Sequence, residues 1–253
     1  MKKKHRVFGL IGFPLSHSFS KKYFSEKFKR EGWPHCRYQL FPLREISALP
    51  GLIASTPGLS GLNVTIPHKQ AVLPWLDEVD TAATTIGAVN VIKIKDGKLT
   101  GYNSDVYGFE LSLRNLLGPS PHSGRQAICA LVLGTGGASL AVRYILEKMS
   151  IPYRLVSRTF QNGRLTYADV DPQVIRAHRL IINCTPVGTY PDVEACLPLP
   201  YEAAGPHHFF YDLVYNPAES LFLKKAKAQG ASTTNGLPML HLQAEKAWEI
   251  WNS

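Results

Sequence analysis

Acidic residues and clustered cysteines are what this sequence has little of. Its 253 residues carry 19 Asp and Glu against 28 Lys and Arg, a formal net charge of +9. That balance suits anionic small molecules such as a nucleotide phosphate or a carboxylate. It also suits nucleic acid, but the long basic run, the aromatic–basic RNA signature and the zinc-finger spacing are all missing, so nucleic acid is not the expected partner. Part of the excess sits in Lys2-Lys3-Lys4-His5-Arg6, which reads as a solvated tail. The four cysteines, Cys36, Cys129, Cys184 and Cys196, are scattered without a C-x-x-C pair. That argues against a disulfide frame or a zinc site and for reduced thiols in a cytoplasmic setting. No stretch approaches the ~18 apolar residues that span a bilayer. The apolar segment after the tail, Val7 to Leu15, is interrupted by Gly9, Gly12 and Pro14 and lacks a clean cleavage site. It reads as a first strand and its loop, not a signal peptide.

Apolar residues make up 45% of the chain, enough for a real core in one large domain or two small ones. Val7 to Leu10 predicts a buried strand, and Phe19, Tyr23, Phe24 and Phe28 recur at helical spacing behind Ser18 or Ser20 as N-cap. Strands are predicted at Cys36 to Phe41 and Leu59 to Ile66. Between them Arg44 to Ser55 reads as a helix interrupted at Pro50, and after them Ala71 to Thr84 as helical pieces broken by Pro74. Ala88 to Lys95 and Lys98 to Tyr102 predict a hairpin around Asp96-Gly97. A helix follows from Asp105 to Leu117. The Gly118-to-Gly124 stretch, rich in Gly, Pro and Ser, marks a module boundary. Beyond it come strands at Ala127 to Leu133, Tyr153 to Val156, Leu180 to Ile182 and Phe209 to Val214. Helices come at Ala138 to Met149, Ala218 to Gln229 and Pro238 to Trp251. Strands alternating with helices make this an α/β chain, with a parallel sheet expected in the second half.

Two motifs carry chemistry. Asn63-Val64-Thr65-Ile66-Pro67-His68 runs into Lys69 and places two hydrogen-bonding side chains and an ammonium on one turn after an apolar strand. Such a turn can hold a hydroxylated substrate and move a proton on it. Taken alone it reads more readily as a turn with a solvated lysine. The second motif, Gly134-Thr135-Gly136-Gly137-Ala138-Ser139, sits between a strand and a helix. Gly134 permits the tight turn, Gly136 lets backbone approach a pyrophosphate, Ser139 is small enough for close packing, and the helix start offers free N–H groups. At the end of the next strand, where an acid would bind the ribose of NAD, stands Ser157-Arg158-Thr159. An arginine there pairs with a 2′-phosphate, so NADP(H) is the expected cofactor.

Taken in order, the motifs resemble the shikimate dehydrogenase family over nearly the whole chain. Ser18-Phe19-Ser20 resembles its S-x-S, and Asn63-Val64-Thr65 with Lys69 its N-V-T-x-P-x-K. Gly87-Ala88-Val89-Asn90 resembles G-A-x-N, and Asn103-Ser104-Asp105 with Gly108 resembles N-T-D-x-x-G. Gly134 to Ser139 and Ser157-Arg158-Thr159 resemble its glycine turn and N-R-T. Asn183 to Gly188 resembles N-x-T-P-x-G, Asp212 to Pro217 resembles D-x-x-Y-x-P, and Asn235 to Ala244 resembles N-G-x-x-M-L-x-x-Q-A. There are departures. Ser157 replaces an asparagine, Lys21 stands where proline is usual, and the second basic residue after N-R-T is not aligned, with Arg164 the nearest substitute.

The resemblance implies NADPH-dependent, reversible reduction of 3-dehydroshikimate to shikimate. Lys69 and Asp105 are the implied catalytic pair. Ser18, Ser20, Asn63, Thr65, Asn90, Tyr215 and Gln243 are the implied substrate contacts. Gly134, Thr135, Gly136, Gly137, Ala138, Ser139, Ser157, Arg158, Thr159, Thr185, Leu213, Gly236 and Met239 are the implied cofactor contacts, with no metal. An ammonium beside a carboxylate has its charged form favoured, so Lys69 fits acid and electrostatic stabiliser in reduction, and the pair takes the alcohol proton as a unit in reverse. The implied fold is a substrate-binding α/β domain, residues 1–105 with 236–253 returning to it, and a Rossmann-like dinucleotide domain, residues 106–235. The two would close over ligand, in a monomer or a homodimer. Two rival readings remain: an NAD-preferring quinate/shikimate dehydrogenase, against which Arg158 argues, and a non-catalytic ligand-binding regulator, against which Lys69 and Asp105 argue. His17 and His68 read as bystanders, and Trp248 and Trp251 as core.

Overall fold

The computed structural model describes residues 5–15, 18–118 and 128–253. The Lys2–Lys4 tail, His17 and most of the predicted boundary stretch lie outside them. Backbone contacts divide the chain into two compact units, Met1–Ser104 with Ala244–Ser253, and Asp105–Gln243.

The first unit holds strands β1 (Arg6–Gly12), β2 (Cys36–Pro42), β3 (Leu59–Val64), β4 (Glu78–Val79), β5 (Val91–Lys95) and β6 (Lys98–Tyr102). They form one mixed sheet in the order β2-β1-β3-β5-β6-β4. β1 pairs in parallel with β2 and β3, and β5 runs antiparallel to β3 and β6. Its helices are α1 (Phe19–Arg30), α2 (Leu49–Ser55), α3 (His68–Ala71) and α4 (Thr81–Ile86). Pro50 lies in the first turn of α2, where its missing N–H costs nothing, and so starts the helix instead of interrupting it. Around Pro74 the predicted helix gives way to a 3-10 turn, Leu73–Trp75, and then to the unpredicted strand β4. Phe8, Phe24, Phe28, Tyr38 and Trp251 make an aromatic core on one side of this sheet, with Trp248 packed against it.

The second unit opens with α5 (Asp105–Leu117) and continues with β7 (Ala130–Leu133), α6 (Gly137–Lys148), β8 (Tyr153–Ser157), β9 (Leu165–Thr166), α7 (Pro172–Ala177), β10 (Leu180–Asn183), β11 (Phe209–Asp212), α8 (Leu221–Ala228) and β12 (Ser232–Thr234). A last helix, α9 (Leu237–Asn252), begins in this unit and ends in the first. The sheet is wholly parallel, in the order β12-β11-β10-β7-β8-β9. This is the doubly wound Rossmann order, and its direction of winding reverses between β7 and β10. Strands β11, β10 and β7 are almost continuously apolar because helices cover both faces. β9, β12 and α7 are too short to show a period in the sequence.

Candidate active site

In the first unit the Asn63-to-Lys69 turn leaves the middle of the sheet. β3 is flanked by β1 and β5, which leaves Asn63 only 5% exposed. Thr65 N–H still donates to the Ile11 carbonyl at 2.9 Å, then Pro67 turns the chain into α3, with His68 N–H on the Thr65 carbonyl at 2.9 Å. Lys69 is the second residue of α3, and its carbonyl accepts from Val89 N–H at 2.7 Å. His68 is buried with Nε2 at 2.8 Å from the Leu43 carbonyl, a structural engagement.

The Ala88–Asn90 segment is bonded to the end of the hairpin. Asn90 Oδ1 accepts from Ser104 N–H at 2.7 Å, its Nδ2 donates to Ser104 Oγ at 3.1 Å, and Asn103 Nδ2 donates to the Ala88 carbonyl at 2.9 Å. Asn63 Nδ2 meets the Asn90 carbonyl at 3.4 Å. Asn63, the Lys69 backbone, Asn90 and Ser104 thus form one hydrogen-bonded assembly. Asp105 is the next residue in the chain and is the first of α5. Ser18 caps α1, its hydroxyl accepting from Lys21 N–H at 3.3 Å, and no acid in the first turn neutralises the helix end on which Ser20 also lies. Tyr215 and Gln243 belong to the second unit. Tyr215 is 40% exposed, while Gln243 is buried with its amide donating to the Leu240 carbonyl at 3.0 Å.

In the second unit a cavity of about 650 Å³ opens where the winding reverses. It is lined by the glycine turn Gly134–Gly136, by Ser157 and Arg158 after β8, by Tyr167, and by 184–187 and 196–198. Gly134 has φ +98°, and a Cβ there would lie 2.7 Å from the Thr185 methyl, so only glycine fits. Ser139 is fully buried, and both its N–H and hydroxyl bond to the Gly136 carbonyl, at 2.9 and 2.7 Å, so it shapes the turn from behind. Thr185 is held in an Asx turn. Its N–H and hydroxyl donate to Asn183 Oδ1 at 2.9 and 2.7 Å, and Asn183 Nδ2 donates to buried Asp212 Oδ1 at 2.9 Å. Ser157 Oγ donates to the Thr159 carbonyl at 2.5 Å, closing the Ser157-Arg158-Thr159 turn. Arg164 donates to Gln161 on an exposed loop. Burial pushes the Tyr167 phenol up to about 12 against the pull of the nearby Arg158 charge. Among the described residues there is no group of His, Cys, Asp and Glu placed to hold a metal ion, and no helix long and apolar enough to cross a membrane.

Comparison with known proteins decides the family. The model described as the shikimate dehydrogenase substrate binding domain matches residues 10–92. The NADP(+) shikimate dehydrogenase of Geobacillus kaustophilus is 38% identical, over 97% of this chain and 92% of the relative. The chain belongs to the shikimate dehydrogenase family. Among solved structures, shikimate 5-dehydrogenase of Thermus thermophilus, in complex with NADP(H) and shikimate, has a TM-score of 0.83 at 33% identity, covering 97% of this chain and 93% of that one. The quinate dehydrogenase of Corynebacterium glutamicum, in complex with NAD, has a TM-score of 0.85 at 27% identity, covering 98% of this chain and 94% of that one.

For a shikimate dehydrogenase family member the lining of the second unit's cavity is partly unexpected. Of the implied cofactor contacts, Gly134, Thr135, Gly136, Ser157, Arg158 and Thr185 line it, whereas Gly137, Ala138, Thr159, Leu213, Gly236 and Met239 are not among its walls. Gly236 has another reason to be glycine, since a Cβ there would stand 2.1 Å from the Leu213 carbonyl oxygen. Sequence reasoning missed Tyr167 and the Cys196–Pro198 wall. Both are brought back to the cavity by chain far from the glycine turn, and no local pattern announces them. Cys184, Pro186 and Val187 were within reach, because they flank Thr185 in the recognised N-x-T-P-x-G.

Proposed function

We propose that this protein catalyses the NADPH-dependent, reversible reduction of 3-dehydroshikimate to shikimate. The observation that carries the reading is the cavity of the second unit, where Arg158 is the one charged lining side chain and no carboxylate lines the wall among the described residues. A cavity of about 650 Å³ is of the size that takes a cofactor, a glycine turn at a helix start suits a pyrophosphate, and a lone guanidinium favours a 2′-phosphate over a bare ribose. Bound there, NADPH supplies the hydride.

The chain's own residues do the rest. Ser18 and Ser20, at the unneutralised start of α1, meet the substrate carboxylate. Asn63, Thr65, Asn90 and Gln243 bond its hydroxyls, with Tyr215 beside it. Lys69 stabilises the negative charge that develops on the ketone oxygen and donates the proton to it. Asp105 is the acid that shares the proton with Lys69 in the reverse direction.

Turnover on shikimate and quinate, each with NADP and NAD and followed by absorbance of the reduced nicotinamide, tests this reading. Shikimate with NADP is expected to be fastest. Equal or better rates with NAD would overturn the cofactor assignment, and binding of shikimate without turnover would make the protein a sensor.

A further inference from the structure

Tyr38 has no role so far. It lies on β2 with 5% of its surface exposed, its ring stacked on Phe24 at 4.8 Å and 11° and tilted against Trp251 at 6.5 Å. The packed ring fixes where its hydroxyl points. That hydroxyl donates to Asn63 Oδ1 at 2.7 Å, and the Ser20 hydroxyl lies near enough to the same phenol to pull its pKa down against burial. One buried group therefore joins a residue of α1 to a residue of β3.

The donor count settles the orientation. A phenol has one proton, and once it is given to Asn63 Oδ1 the phenol oxygen accepts from Ser20. On the other side of Asn63, Nδ2 faces the Asn90 carbonyl at 3.4 Å, and that carbonyl also accepts from Val64 N–H at 2.8 Å. Flipping the Asn63 amide would set its oxygen against that carbonyl, two acceptors face to face. With the oxygen engaged by Tyr38 and one N–H turned toward Asn90, Asn63 has a second N–H to offer a ligand as a donor.

We propose that Tyr38 is a positioning residue of the substrate site: it locks the Asn63 amide as a hydrogen-bond donor and ties Ser20 to the same point. The carboxylate contact and a hydroxyl contact of a cyclic polyhydroxy acid are thereby held in one register. This rests on the functional reading above and adds to it the residue that sets the polarity of the hydroxyl contact.

Tyr38→Phe removes one oxygen and keeps the stacked ring. Loss of one positioned hydrogen bond is expected to raise the KM and the calorimetric Kd for shikimate about 10-fold, with the KM for NADP and kcat within about 3-fold of wild type. Because Tyr38 acts through Asn63, adding Tyr38→Phe to Asn63→Ala should weaken shikimate binding by less than about 2-fold more. Should Tyr38→Phe not fold, Asn63→Asp reads the same feature. It keeps an acceptor for Tyr38 but offers no N–H, and shikimate affinity should fall at least about 10-fold while NADP binding stays. Additive losses in the double variant, unchanged shikimate affinity in Tyr38→Phe or Asn63→Asp, or a parallel loss for NADP would overturn the proposal. A wild type that turns over shikimate normally isolates such a failure to this inference. A wild type inactive on shikimate would bring down the functional reading, and this proposal with it.

Discussion

In the first unit the polar side chains at the end of β3 are buried and bonded to one another, Tyr38 to Asn63, Asn63 to the Asn90 carbonyl and Asn90 to Ser104. In the second, the cavity is walled by a glycine turn, a threonine held by the Asn183 Asx turn and apolar side chains, with one exposed guanidinium, Arg158. The first arrangement stores its specificity in side-chain atoms that satisfy one another, so losing one leaves a buried partner unpaired. The second stores it in backbone shape, so side-chain losses at the rim are felt locally. Substitutions in the two units should therefore fail in different ways.

The largest separation is expected at Lys69. Lys69→Ala removes the charge and proton offered to the ketone oxygen, a contribution of about 10²–10⁴-fold for general acid catalysis, so kcat should fall about 1,000-fold. Shikimate affinity should change less than about 10-fold and NADP affinity not at all, since the group acts mainly in the transition state. Single-turnover rates and equilibrium binding check both halves. A variant keeping a tenth of wild-type kcat would remove Lys69 from the chemistry.

Asp212 blurs the contrast, because it puts a buried side-chain network behind the backbone-built cavity. It is fully buried and accepts from Ser220, from Val214 N–H at 3.0 Å and from Asn183 Nδ2 at 2.9 Å, so it joins three segments. Burial pushes its carboxyl up from 3.8 to about 6, against the downward pull of the Ser220, Val214 and Asn183 bonds. The native state then binds its proton more tightly than the unfolded chain. The favourable contribution is complete below pH 3.8 and is lost as pH rises through about 6. A shift of that size is worth on the order of 3 kcal/mol. The stability of wild type minus that of Asp212→Asn, measured by denaturant unfolding, should therefore fall between pH 4 and pH 7. A flat or rising difference would mean the three donors outweigh burial.

How much of this was legible in the sequence depends on how far apart the partners lie. α5 was read to its ends, and the Asp96-Gly97 turn holds both residues at positive φ, 52° and 79°, as the dipeptide signals. The glycine turn, Arg158 and Thr185 were legible because strand, turn and helix are contiguous. The Tyr38–Asn63 and Asn183–Asp212 bonds join positions 25 and 29 apart on different strands, and no local period marks them. Pro50 misled because its place in the helix, not its presence, decides whether it breaks the helix.

The smallest effect should come from Arg158, which is exposed and open to screening by salt. A charge-assisted bond to a phosphate is worth about 1.5–3 kcal/mol when well formed, and exposure takes it toward the lower end, about 10-fold in affinity. Arg158→Ala should raise the KM for NADP by that factor, leave NAD and shikimate unchanged, and lose part of its effect in high salt. The NAD arm is the informative one. NAD lacks the 2′-phosphate, so a side chain that reads only that group cannot alter NAD binding. If NAD weakened as much as NADP, Arg158 would be shaping the cavity wall, and the second unit would depend on its side chains much as the first does.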